Sequence, residues 1–159
     1  MKNWVWIAAL GATIALQPVS GFAGDEKGPK GCSLETLNGQ YLGNASGTVF
    51  PPAFGVTKPT VSSVAAYSLY FGDGTGADYV TQTLDGVKVQ MKSVSTPTTY
   101  SINPDCTGTK QVVNGPQFDI FVAVNGSALT EVATSAPPNN SSGFAVSARQ
   151  IRVNVDQQN

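Results

Sequence analysis

Glu131 is the side chain with the most chemistry open to it in this 159-residue chain. It lies in Ala128-Leu-Thr-Glu-Val-Ala-Thr134, in step with Leu129 and Ala133 when every second residue is counted. A carboxyl group among apolar neighbours has its charged form disfavoured, so its pKa rises and it can serve as an acid, a base or a ligand anchor. A structural reading stands beside that one. The strand can twist there, Glu131 can pair with a cation such as Arg149, or a one-residue slip of register can turn it to solvent.

The remaining inventory is narrow. The chain has no histidine, which excludes Ser-His and Cys-His nucleophilic mechanisms. Its two cysteines, Cys32 and Cys106, do not make a zinc site alone, and no metal is expected. Phe71-Gly-Asp-Gly-Thr-Gly-Ala-Asp78 offers Asp73 and Asp78 as calcium ligands but lacks the other carboxylates of an EF-hand loop. No lysine follows it and no helix opens behind it, so it is no phosphate cradle either. A glycine-rich hairpin turn accounts for the stretch, and no cofactor is expected.

Residues 1 to 23 read as a secretory signal peptide: Lys2, then the apolar run Trp4 to Leu16, then Gly21-Phe-Ala23 with small residues where a peptidase cuts. The run is too short to anchor in a bilayer. Cleavage before Gly24 leaves 8 basic and 10 acidic residues, with no basic patch, so nucleic acid is not an expected partner. Two cysteines in a secreted or periplasmic chain most simply form one disulfide, Cys32–Cys106. Closing so long a loop stabilises by roughly 4 kcal/mol in the chain-entropy picture.

The elements that must position these residues are strands. Runs at 39–49, 61–71, 77–84, 87–94, 99–103, 107–113, 117–124, 128–134 and 144–151 are separated by Gly, Pro, Asn and Asp. Turn signals about every 8 to 12 residues predict an all-β meander, sandwich or barrel. Helical periodicity is confined to a single turn near Ser33 to Leu37. Ser95-Thr-Pro97 reads as a turn. Asp85-Gly86 and Asn125-Gly126 fit two-residue type I′ loops, which need positive φ at both central positions. The first pairs Leu84 with Val87, Gln82 with Val89 and Val80 with Met91, leaving Lys88, Gln90 and Lys92 on the solvent face. The second pairs Val124 with Ser127, Val122 with Leu129, Ile120 with Glu131 and Phe118 with Ala133. Glu131 then faces the apolar side with Phe118, Ile120, Val122 and Leu129.

Four stretches occur in order: Cys32-Ser-Leu-Glu-Thr-Leu-Asn-Gly-Gln-Tyr41, Leu69-Tyr-Phe-Gly-Asp-Gly-Thr-Gly76, Tyr100-Ser-Ile-Asn-Pro-Asp-Cys-Thr-Gly-Thr109 and Arg149-Gln150. Together the chain resembles a group of small exported bacterial proteins related to the allene oxide cyclase barrel, within the calycin-like class. That resemblance implies an antiparallel meander closing into a barrel of about eight strands. It does not carry a catalytic residue onto any position here.

The expected organisation is a signal peptide (1–23), a lead-in (24–38), a β-barrel domain (39–151) and a tail (152–159). The leading expectation is an exported, disulfide-stapled binding or scaffold module for a small apolar ligand, lined by Phe118, Ile120, Val122, Leu129 and Glu131. The alternative is an isomerase or cyclase that uses the barrel interior with Glu131 as acid or base. An outer-membrane barrel is disfavoured by the polar Lys88-Gln90-Lys92 face and by Gln157-Gln-Asn159, which has no terminal aromatic. No membrane span is expected once the signal is removed.

Overall fold

The computed structural model describes residues 31–90, 94–136 and 143–153. The expected signal peptide, residues 24–30 of the lead-in, Met91, Lys92 and the tail from residue 154 lie outside the described residues. Nine strands run in chain order: β1 (Asn38–Val49), β2 (Thr60–Phe71), β3 (Thr75–Leu84), β4 (Val87–Gln90), β5 (Ser95–Ile102), β6 (Thr107–Val112), β7 (Gln117–Val122), β8 (Ala128–Ser135) and β9 (Phe144–Val153). All pair antiparallel. The order β2-β1-β9-β8-β7-β6-β5-β3, with β2 also paired to β3, closes eight strands into a barrel. β4 lies outside it, paired to β3 alone. The strands alternate as closed barrels require: on β8, Leu129, Glu131, Ala133 and Ser135 are buried while Thr130, Val132 and Thr134 are exposed.

Each predicted strand is present, and the shift in the start of β5 has a physical reason. β5 takes the edge of β3 from Thr75 to Tyr79, so β4 can share only the far end of β3. Ser95-Thr-Pro97 is therefore the start of β5 and not a turn. Pro97 stands opposite Ala77, and its carbonyl accepts from Val113 N–H at 3.0 Å just past the Thr98–Val112 end of the β5–β6 ladder, so the N–H it lacks costs at most one bond at that end. Asp85 and Gly86 take φ of 48° and 80° and join Leu84 to Val87, as the turn signal predicts. A bulge between Gln82 and Thr83 then sets Gln82 opposite Gln90 in place of Val89.

The second hairpin reaches its predicted register by a different turn. Only Gly126 has positive φ, at 65°, and Ala123 N–H donates to Ala128 O at 2.9 Å across a four-residue loop. Two extra residues, one on each side, leave the pairing unchanged: Val122–Leu129, Ile120–Glu131 and Phe118–Ala133. Val124 and Ser127 lie in the loop and do not pair as ladder residues.

One end of the barrel is packed shut. It carries the short 3₁₀ turn Leu34–Thr36 and the loops at 72–74, 103–106 and 123–127. Leu37, Tyr41, Tyr70, Tyr100, Ile120 and Leu129 fill it. The Tyr70 ring meets Tyr41 and Tyr100 edge-on, at centroid distances of 5.2 and 5.3 Å. Tyr41 O–H donates to Gly126 O at 2.6 Å, and Arg152 donates to Tyr41 Oη and to Thr36 O. Cys32 and Cys106 are bonded with their Cα atoms 4.9 Å apart, tying the lead-in to the β5–β6 turn. A second 3₁₀ turn, Ala53–Gly55, which no sequence signal marked, lies over the opposite end. Among the described residues no helix is long and apolar enough to cross a membrane.

Candidate functional site

Five side chains converge in the middle of the barrel: Lys110, Glu131, Asp78, Gln150 and, from β2, Tyr70. Register places each of them. Lys110 on β6 stands opposite Tyr100 and Phe118; Glu131 on β8 opposite Ile120 and Ala148; Asp78 on β3 opposite Ser68 and Thr96. Gln150 on β9 stands opposite Gly43, where a Cβ would lie 2.7 Å from the Gln150 Cγ, so the glycine makes room for the amide.

Lys110 Nζ lies 2.7 Å from Glu131 Oε1 and 3.3 Å from Asp78 Oδ2. Its third contact is the Tyr70 hydroxyl at 3.3 Å. Glu131 Oε1 also accepts from Tyr70 O–H at 3.2 Å and from Gln150 Nε2 at 2.9 Å. Lys110, Glu131 and Asp78 are 2%, 3% and 4% exposed, so these charges interact away from bulk water. Burial alone pulls the Lys110 pKa down, but the Asp78 and Glu131 carboxylates outweigh it and hold the ammonium well above its ordinary range. Burial likewise raises the Tyr70 hydroxyl well above its usual value, Lys110 opposing and the two carboxylates adding to the rise.

Beyond this cluster, toward the Ala53–Gly55 end, the barrel holds a cavity of about 300 Å³. Val64, Val80, Val112, Phe118 and Val146 form apolar walls; Asp78, Lys110, Glu131 and Gln150 form a polar floor. This volume is at the small end for ligand pockets.

No family model and no curated protein matches the chain.

Of the residues expected to line a ligand, Phe118 and Glu131 reach this cavity. Ile120, Val122 and Leu129 face inward too, but they lie in the packed core and outside the cavity wall. Glu131 pairs with Lys110; Arg149 is on the barrel's outer face. Asp73 and Asp78 do not converge. Asp73 is exposed and caps its own turn, accepting from Thr75 N–H at 2.8 Å, while Asp78 is inside the barrel. Among the described residues no group of three or more His, Cys, Asp or Glu is placed to hold a metal ion.

Sequence reasoning missed Lys110, Asp78, Tyr70 and Gln150. A signal for Lys110 was present. Tyr100 is apolar-facing by alternation, and the Asn103–Cys106 turn sets Tyr100 opposite Lys110, so the lysine must point inward.

Proposed function

We propose that the chain is an exported binding module whose barrel receives one small, mainly apolar molecule. The observation that carries this reading is the cavity of about 300 Å³, apolar on its walls and polar on its floor. Export is supported by the signal-like residues 1 to 23 and by the bonding of both cysteines to each other. The closed eight-stranded barrel is the fold that a resemblance to the allene oxide cyclase group implies.

Calorimetric titration of the protein with n-hexanol tests the binding reading. Saturable one-to-one binding is expected, and it should vanish when Ala148→Trp fills the cavity. A folded protein that shows no saturable binding sinks the proposal. For export, N-terminal sequencing of material outside the cytoplasm should begin at Gly24; recovery of Met1 counts against it.

A second reading, an isomerase or cyclase with Glu131 as acid or base, is favoured by one observation: the Glu131 carboxylate is part of the cavity floor. Glu131→Gln should then abolish turnover of an apolar substrate while n-hexanol still binds.

A further inference from the structure

Asp78 is the group the cluster leaves incomplete. Its Oδ2 faces Lys110, but Oδ1 is buried and finds no hydrogen-bond partner among the described residues. An ammonium has three N–H donors. Those of Lys110 face three oxygens, on Glu131, Asp78 and Tyr70, so the lysine has no donor left for an incoming anion. With its members ionised, the trio of one ammonium and two carboxylates carries a net charge of −1. Of the two N–H donors on each glutamine amide of the lining, one goes to a protein oxygen, from Gln150 to Glu131 and from Gln82 to Ser62 Oγ at 3.1 Å. The cavity floor therefore offers an incoming head carboxylate acceptors but no free cationic donor, and the apolar walls above it disfavour a wholly polar guest.

Resting on the binding reading above, we infer that the cavity selects a small molecule with an apolar body and a cationic, hydrogen-bond-donating head, an organic ammonium, which Asp78 Oδ1 receives. Such a head completes the unpartnered carboxylate oxygen and neutralises the excess negative charge in one contact. A carboxylate head would meet two carboxylates and an ammonium whose donors already face protein oxygens. An alcohol would complete the oxygen but leave the charge.

The test is calorimetric titration of the full chain at neutral pH with n-hexylamine, n-hexanol and hexanoate, which share one apolar body. n-Hexylamine should bind at least about tenfold more tightly than n-hexanol, as a charge-assisted bond predicts, and hexanoate most weakly. Asp78→Asn should remove that preference, bringing n-hexylamine to the affinity of n-hexanol or below it. If this variant does not fold, the ranking of the three probes on the native protein decides alone. Equal affinity for all three, or a preference for hexanoate, overturns the inference and leaves the binding reading standing. n-Hexylamine binding that survives Ala148→Trp also overturns it, because the amine is then held on the outer surface. If no probe binds, the binding reading falls and this inference with it.

Discussion

Lys110 Nζ and Glu131 Oε1 are 2.7 Å apart across β7, on two strands that do not pair with each other. Between them the Phe118 ring lies under the ammonium, 5.2 Å from its centroid. The contact thus links three strands through side chains alone. Removing the cation strands two buried carboxylates. Lys110→Met should destabilise by about 3–5 kcal/mol, measured by urea unfolding. Combining it with Asp78→Asn and Glu131→Gln should recover a large part of that loss, since no unpaired charge is then left inside.

Stability should fall in alkali above the ordinary lysine value of 10.5. The folded Lys110 holds its proton to higher pH than the unfolded chain does, so its contribution is complete below that value and is lost as pH rises through the raised folded pKa. Burial raises Tyr41, Tyr70 and Tyr100 as well, and they act in the same direction, from the ordinary tyrosine value of 10.0 upward. Tyrosinate absorbance from these three should appear together with the unfolding signal. Their full ionisation in a still-folded protein would contradict the packing described for the closed end.

Reduction of Cys32–Cys106, or its replacement by serines, should cost about 2–5 kcal/mol, read from denaturant midpoints with and without reductant. The unreduced, denatured protein should show no free thiol.

Gly126→Ala should destabilise by about 1–3 kcal/mol. The residue has φ of 65°, and an added Cβ would press on the Thr36 carbonyl and lie 2.8 Å from Arg152 Nη2. Its own carbonyl accepts from Tyr41, so the damage should reach the aromatic stack and show in the near-ultraviolet dichroism of the tyrosines.

Strand positions were legible because Gly, Asn, Asp and Pro punctuate period-two runs, and the register of β7 on β8 followed from where the loop is centred. The loop's length was not legible: Asn125-Gly126 suits a two-residue turn locally, yet the four-residue turn gives the same ladder. Pro97 was misread because a proline looks like a breaker until the carbonyl it still offers has a partner, here Val113 N–H. The inward direction of Glu131 was readable from its hairpin. Its partner was harder to read, because the register that sets Lys110 opposite the inward Tyr100 runs through a loop, Asn103–Cys106, with no simple two-residue signature. Asp78 was hidden by its neighbour Asp73, with which it shares a glycine-rich stretch but no contact that places them together.

The pairing of β1 with β9 also orders events in time. β1 emerges first from synthesis and β9 last, yet from Gln40–Val153 to Val49–Phe144 they are ladder partners. Until the last strand is delivered, the ring has two open edges, and the lysine and carboxylates of its interior stay in water. Joining ends so distant in sequence carries a large closure entropy and makes folding slow relative to chains of local contacts. Gln150 and the closure of the ring between β1 and β8 both come with β9, so the cluster is complete and sealed only when that strand is in place.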